Sequence, residues 1–302
     1  MFRIRIQNKK KCIWYCSAVV SFLLFLLLLG WTNHLANTQD AQQMAGRWSE
    51  KKDVAQISCF FSSKAEVTED TIQSFEYSLK NVLQEASITE TSENPSARLW
   101  VDAYSADGKI TLVNGKNTLD ANAIGIGGDF FMFHPLKLIT GAYFSGNDLM
   151  QDYCIIDQDA AWQLFGSNDV VGMTVYIGNV PHIVTGVVQR PDSRMDKAAG
   201  LNSTVVYVSY ETLSAYGTNN GINHYEIVMP NPVDEFAYGK VKDGIGIDEK
   251  NVEIVENSRR YSLPNRIKTI LAFGTRSMNG KAIIYPYWEN LASCLLYTSP
   301  SP

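Results

Sequence analysis

The sequence predicts an α+β fold, with an N-terminal transmembrane helix followed by a two-lobed extracytoplasmic α/β domain. Residues 13–31 form one uncharged apolar run, and about 20 such residues span a bilayer as a helix. Strand-like and helix-like patterns alternate through the rest of the chain. A stretch rich in glycine and aromatic residues, 121–191, separates two regions of this alternation. That interruption indicates a small α/β lobe inserted into a larger one.

The apolar run, IWYCSAVVSFLLFLLLLGW, is predicted to be an uncleaved anchor rather than a cleaved signal. A signal peptide has a shorter apolar region and small residues at its cleavage site, whereas Trp31-Thr32-Asn33-His34 follows here. Trp14 and Trp31 stand at the two ends, where aromatic rings favour the membrane interface. The stub before the run is basic and lacks acidic residues. We therefore expect a cell-membrane protein whose N-terminus is cytoplasmic and whose main domain is extracytoplasmic.

The chain is predicted to divide into seven segments. They are a cytoplasmic basic stub (1–12), the transmembrane helix (13–31), a juxtamembrane helix or linker (32–50), the first half of the larger lobe (51–120), the inserted small α/β lobe (121–191), the second half of the larger lobe (192–275) and a return toward the membrane (276–302).

The strands and helices in the two halves of the larger lobe are predicted from hydrophobic periodicity and from helix-capping residues. Alternating residues at 53–61 predict a half-buried strand. Thr68 is expected to cap a helix with an apolar stripe, namely Ile72, Phe75, Leu79, Val82 and Leu83. Strands at 98–104 and 110–113 are expected to flank a turn at 106–109. After the inserted lobe, strands are predicted at 204–208, 225–229 and 252–255, alternating with short helices at 210–216 and 233–241.

The inserted lobe shows its own strand, helix and hairpin signals. A strand ends at Ile155-Ile156, and Asp157 is a good cap for a short helix that Gly166 would end. Two β-rich runs, 173–177 and 182–188, are separated by Gly178-Asn179, a hairpin turn signal.

Charge and cysteine content restrict the classes of partner. The net charge of −5 argues against nucleic acid as a partner, and a 45% apolar content excludes a disordered or fibrous chain. Cys59 and Cys154 lie in the ectodomain, where an oxidising compartment would permit a disulfide. Two buried free thiols are the favoured alternative, because free cysteine is among the most buried residue types.

No catalytic, cofactor or metal site is predicted, so the chain is not expected to be an enzyme. His34, His134, His182 and His224 occur without metal-ligand spacing and are interpreted as structural or solvated. There is no phosphate-binding P-loop motif, and the glycines at 125–128 are attributed to tight backbone packing.

Three other groups are given structural interpretations. Asp157 and Asp159 are assigned to helix capping in preference to metal binding. Phe130, Phe131 and Phe133 are assigned to the core in preference to a ligand groove. Tyr285, Tyr287 and Trp288 are expected to form an aromatic belt at the membrane interface.

The inserted lobe resembles the extracytoplasmic core of MacB/FtsX-type ABC transporter permeases. The matching motifs are Leu138-Ile139-Thr140-Gly141, Leu164-Phe165-Gly166, Val171-Gly172 and Val184-Thr185-Gly186-Val187-Val188, in the family's order and spacing. The residues taken as structural family signatures are Gly128, Gly141, Leu164, Phe165, Gly166, Gly172, Gly186 and Val187.

The resemblance implies a permease subunit whose porter-like lobe is interrupted by the small lobe. It further implies a separate cytoplasmic ATP-binding subunit as partner and a second permease copy forming a dimer. The extracytoplasmic domain would couple ATP-driven membrane movement to export or release of an unidentified substrate. Three more transmembrane helices are expected after 282–292, so the chain is interpreted as a truncated fragment with foreign residues from about Ser293.

A single-pass, membrane-anchored sensor or binding module is the alternative function. It would use the same α/β ectodomain to bind a partner or a cell-wall component, without any ATPase.

Overall fold

The computed structural model describes residues 9–49, 53–89, 98–201, 203–271 and 281–298. It has the predicted α+β class, with an apolar N-terminal helix before a sheet-rich domain. Helix α1 (Lys9–Asn37) contains the segment Ile13–Asn37, which is long and apolar enough to cross a membrane and is not buried inside the protein. Helix α1 extends beyond its predicted end at Trp31 and ends at Asn37. Only residues 32–37 of the predicted juxtamembrane segment 32–50 therefore continue this helix.

The remaining elements follow in chain order. They are α2 (Met44–Trp48), β1 (Val54–Phe61), α3 (Glu69–Glu85), β2 (Val101–Asn114), β3 (Asn117–Gly128), α4 (Phe130–Phe133), β4 (Lys137–Gly141), β5 (Tyr153–Asp157), α5 (Gln158–Phe165), β6 (Thr174–Ile177), β7 (Val180–Gln189), α6 (Arg194–Ala199), β8 (Val205–Ser209), α7 (Tyr210–Tyr216), β9 (Thr218–Asn219), β10 (His224–Pro230), α8 (Phe236–Gly244), β11 (Val252–Glu256), α9 (Asn257–Arg260), α10 (Leu263–Leu271) and α11 (Tyr287–Thr298).

The described strands form one sheet in the order β11-β1-β10-β2-β3-β8-β5-β7-β4. Strand β6 pairs with β2 and β7, and β9 pairs with β2. The long β2–β3 hairpin joins the part of the sheet that contains β11, β1 and β10 to the part that contains β8, β5, β7 and β4. Strand β2 pairs with β10 near its start and with β6 near its end. Strand β8 pairs with β3 and β5 although it follows residue 191. The division into an inserted lobe at 121–191 therefore stays a prediction.

The apolar core of the described residues divides into three clusters. In the first, one face of β1 and β10 packs under α3 and α8; of the predicted helix stripe, Ile72, Phe75, Leu79 and Leu83 are buried and Val82 is half-buried. A second cluster lies under α5 and α7, and a third contains α4 and Trp288. Cys59 belongs to the first cluster and Cys154 to the second, and both are free buried thiols. Burial raises the pKa of Cys154 to about 12, so this thiol is unreactive.

Two local predictions are wrong. Strand β1 is buried on both faces rather than half-buried, because Gln56 bonds to Ala41 and Met44 near the membrane helix and Ser58 bonds to Glu226 and Asn257, instead of facing solvent. The turn predicted at 106–109 does not occur, and β2 runs straight through it to a turn at Gly115-Lys116. Gly108 permits close packing there, since a Cβ would overlap the Thr218 carbonyl oxygen and touch Leu213.

Candidate functional site

The eight signature residues lie on β3, β4 and β7, at α5 and its C-terminal end, and in the loop before β6, where they form turns or pack in the core. Gly128, Gly141, Gly166 and Gly172 have positive φ, and Gly166 ends α5 in the left-handed region as predicted. Leu164 and Val187 are buried, and Phe165 packs against the same cluster. Gly186 pairs with Gly141 across β7 and β4. These positions shape the backbone and carry no reactive groups.

Gly141→Ala is expected to lower the free energy of unfolding by about 2–5 kcal/mol. Its φ of +87° lies in the region that favours glycine, and an added Cβ would overlap the Thr185 carbonyl oxygen and the Gly186 backbone. Left-handed strain costs about 1–2 kcal/mol and overpacking about 1–3 kcal/mol. Urea unfolding followed by circular dichroism measures the loss. Gly172→Ala is the control, since φ is +81° but no atom lies within 4 Å of the new Cβ. Equal losses in both variants would contradict the close packing.

A buried charged cluster lies on the opposite face of β1, β10 and β2 from α3. Its centre is Glu226 on β10, with Oε2 2.7 Å from Nε2 of His134 and Oε1 3.6 Å from Nε2 of His224. All three side chains are at most 3% exposed. His224 and Glu226 share a face because side chains two apart on a strand point the same way. His134 follows α4 and reaches the same point.

Hydroxyl and amide groups surround the cluster. Ser58 lies opposite Glu226 on β1 and donates to Glu226 Oε1 at 2.6 Å, while Asn257 donates to Ser58 Oγ at 2.7 Å. Ser105 lies opposite His224 on β2, with Oγ 3.4 Å from His224 Nδ1. Each group thus comes from a different element, and the cluster joins three strands to α9.

Burial is the largest influence on the charge state of the cluster. It lowers the pKa of His134, against the attraction of Glu226. Burial alone would raise the pKa of Glu226, but His134 and His224 outweigh it and hold the pKa well below its usual range. The carboxyl group of Glu226 is therefore ionised at neutral pH.

Trp288 on α11 covers the two imidazoles. Its ring lies 4.2 Å from that of His134 and 5.2 Å from that of His224, between centroids, and the side chain is buried. The sequence predicts that Trp288 belongs to an aromatic belt at the membrane interface. This prediction is wrong, because Trp288 is buried against the two histidines. Phe130, Phe131 and Phe133 are buried, as expected for core residues.

A second buried pair ties α11 to α9. Arg260 donates to both carboxylate oxygens of Glu289, at 2.6 and 2.5 Å, and to Ser293 Oγ at 3.0 Å. One helix further, Arg266 donates to Thr32 Oγ1 and Asn33 Oδ1 of α1, both at 2.8 Å. Polar contacts thus run from α1 through α10 and α9 to α11, and α9 directly follows the edge strand β11.

A cleft of about 350 Å³ opens beside the charged cluster. It lies between the end of α1, the start of α11 and the segment after β7, with Leu35, His134, Ser193 and Trp288 among its lining residues. His134 is the member of the cluster that reaches this cleft.

Comparison with known proteins gives the family of the chain. The family described as the MacB-like periplasmic core domain matches residues 21–256. The chain belongs to this family. This membership makes the sheet-rich part a membrane-attached, extracytoplasmic domain of the MacB type, as the sequence resemblance implied.

The similar proteins include macrolide export ATP-binding/permease proteins MacB. One from Chromobacterium violaceum is 32% identical over 99 residues, covering 32% of this chain and 15% of the relative. One from Pasteurella multocida is 30% identical over 98 residues, covering 32% and 14%. The matched region is thus about a seventh of each curated relative.

Two solved structures align with parts of this chain. The periplasmic region of MacB from Actinobacillus actinomycetemcomitans aligns with a TM-score of 0.44 at 19% identity, covering 74% of this chain and 94% of that one. The extracellular domain of the noncanonic ABC-type transporter YknZ aligns with a TM-score of 0.42 at 20% identity, covering 66% and 99%.

Sequence reasoning missed the charged cluster of this MacB-like domain. His134 and His224 were interpreted as isolated structural histidines, but the fold brings both to Glu226. The local signal was the His-x-Glu pattern at 224–226, which puts both side chains on one face of β10. Asp157 caps α5 as expected, and Arg190 also joins it at 2.6 Å and pairs with Asp159.

A carboxylic acid pair between α3 and β2 should make the stability of the MacB-like domain depend on pH. Burial, together with the nearby Asp102, raises the pKa of Glu76 to about 8. The folded chain therefore holds a proton that the unfolded chain releases above about 4.5. Stability should fall as pH rises between these values, by at most about 1.4 kcal/mol per pH unit.

Glu76→Gln should remove this pH dependence. We expect urea midpoints of the variant at about pH 5 and about pH 9 to lie closer together than those of the parent chain. Glu85→Gln on the exposed side of the same helix is the control and should keep the parental slope. A parental slope in Glu76→Gln would show that this pair does not share the proton.

Proposed function

We propose that the chain is a permease component of an ABC transporter, without a catalytic role of its own. In this proposal a separate cytoplasmic subunit binds ATP, and two permease copies form the working dimer. The extracytoplasmic domain couples movement of the membrane helices to export or release of a substrate. The match to the MacB-like periplasmic core domain over residues 21–256 is the observation that carries the proposal.

The contacts near α1 support the coupling part of the proposal. Movement of α1 would pull on α10 through Arg266, since its guanidinium binds Thr32 and Asn33. The next helix, α9, is held to α11 by Arg260 and follows β11 directly. The Arg260–Glu289 pair is buried and bidentate, which holds α9 and α11 in one geometry, so a displacement of α1 passed on through Arg266 would reach the edge of the sheet.

The basic stub supports an orientation with the N-terminus in the cytoplasm. Arg3 and Arg5 precede the apolar run closely, and cytoplasmic flanks of membrane helices carry an excess of basic residues. This orientation places α1 where a cytoplasmic ATP-binding subunit can act on it.

Cross-linking in native membranes tests the proposal. The full protein is expected to capture a subunit with a phosphate-binding P-loop, together with a second copy of itself. The DNA past codon 302 is expected to continue in frame into further apolar stretches of about 20 residues. Capture of neither partner, with a stop codon at that place, would favour the membrane-anchored sensor or binding module instead.

A further inference from the structure

The cluster of His134, His224 and Glu226 has the arrangement of a metal-binding site. One ring nitrogen of each histidine and a carboxylate oxygen all lie within 4.8 Å of one another, and all three residues are buried. His134 Nε2 and Glu226 Oε2 form an ion pair at 2.7 Å, whereas His224 Nε2 lies 3.6 Å from Glu226 Oε1 and makes no hydrogen bond. Buried polar atoms are nearly always partnered, so the buried His224 Nε2 beside this carboxylate requires an explanation.

We infer that His134, His224 and Glu226 bind a divalent metal ion, and that Zn²⁺ is the ion they fit best. An ion at their centre would satisfy all three atoms at once and neutralise the buried carboxylate. Two imidazoles and one carboxylate form a donor set that suits zinc, while Mg²⁺ and Ca²⁺ prefer oxygen ligands throughout. The inference is independent of the transport function proposed above.

The distances are close to those of a zinc site. Zinc ligands at about 2.0–2.2 Å from the metal lie roughly 3.3 Å apart in a tetrahedron. His134 Nε2 lies 2.7 Å from Glu226 Oε2 and His224 Nε2 lies 3.6 Å from Glu226 Oε1, on either side of this value, and the ligand atoms of the three residues lie within 4.8 Å of one another. Binding would therefore draw the ligand atoms together by up to about 1.5 Å.

The surroundings orient the ligands as a metal site requires. Ser58 donates to Glu226 Oε1 at 2.6 Å, and Ser105 Oγ lies 3.4 Å from the second ring nitrogen of His224. Such outer partners fix the tautomer and the direction of ligands in zinc sites. The cleft beside His134 gives an entry path, and a water molecule from it would supply the fourth ligand.

A metal ion at this site would affect the packing of α11 against the sheet. It would join β10 to the segment after α4 beneath the indole of Trp288, which belongs to α11. Metal occupancy would therefore stiffen the region where α11 meets the sheet.

Zinc titration of the full chain in detergent micelles tests the inference. The protein is purified with a tag that contains no histidine, stripped with a chelator and titrated with Zn²⁺ by calorimetry. We expect one Zn²⁺ per chain, at least 100-fold weaker binding for His134→Gln and for His224→Gln, and about 10-fold weaker binding for Ser105→Ala. His34→Gln, at an exposed position on α1, is the control and should bind like the parent chain.

A spectroscopic measurement covers the case in which a ligand variant fails to fold. The unaltered chain loaded with Co²⁺ is expected to show the intense visible absorption of a tetrahedral site, and one equivalent of Zn²⁺ should abolish it. A folded parent chain that binds no stoichiometric Zn²⁺ would overturn the inference. So would folded His134→Gln and His224→Gln variants that bind as tightly as His34→Gln.

Discussion

Arg260→Met should lower the free energy of unfolding by about 3–5 kcal/mol, a loss typical of breaking one buried ion pair. Arg260 and Glu289 are only 6% and 4% exposed, and the guanidinium contacts both carboxylate oxygens. Removing the arginine leaves the Glu289 charge buried, with Ser293 as a remaining donor at 2.9 Å. Urea unfolding of the full chain in detergent micelles, followed by circular dichroism, measures the loss.

Two further variants separate burial of the charge from loss of the contact itself. The double variant Arg260→Met and Glu289→Met should recover most of the lost stability, because an apolar pair of similar volume often replaces a buried ion pair without cost. Lys242→Met breaks an exposed pair of 2.7 Å with Glu249 and should leave the unfolding midpoint unchanged. A midpoint for Arg260→Met equal to that of Lys242→Met would show that the Arg260 pair is solvated in solution.

Local sequence patterns predicted the elements whose signals are themselves local. Helix α3 begins after Thr68 and buries its apolar stripe, as its 3.6-residue period indicates. The Gly178-Asn179 turn joins β6 to β7. The turn preference of the Asp107-Gly108 pair is also a local signal, but the turn that it predicts does not form. There Gly108 meets tertiary packing by β9 and α7, and a distant segment therefore decides its conformation.

Local sequence patterns could not predict the charged cluster or the burial of the second face of β1, because both depend on residues that are distant in sequence. Alternation at 53–61 correctly gave the two faces of β1, but the pattern cannot tell a solvated polar face from a polar face covered by other elements. Gln56 is buried because its amide bonds to the Met44 backbone N–H at 2.9 Å and to the Ala41 carbonyl at 2.6 Å. His134 is about 90 residues from Glu226 in sequence, so only the sheet topology brings them together.

Trp288→Ala should lower the free energy of unfolding by about 3–5 kcal/mol, the loss typical of a large aromatic removed from a core. The indole packs against His134, His224 and Phe130, with ring centroids 4.2, 5.2 and 5.8 Å away. The alanine would leave a cavity between α11 and the sheet and would open the charged cluster to the adjacent cleft. Urea unfolding in detergent micelles again gives the measurement.

Trp162→Ala is the matched control, because this tryptophan lies on α5 with 56% of its surface exposed. We expect it to cost less than about 1 kcal/mol, as surface substitutions usually do. The comparison also separates the two positions considered for Trp288. A tryptophan at a membrane interface contributes little to packing of the sheet domain, so its replacement would leave urea unfolding unchanged. A large loss for Trp288→Ala beside a small one for Trp162→Ala requires that α11 is anchored in the core of the extracytoplasmic domain.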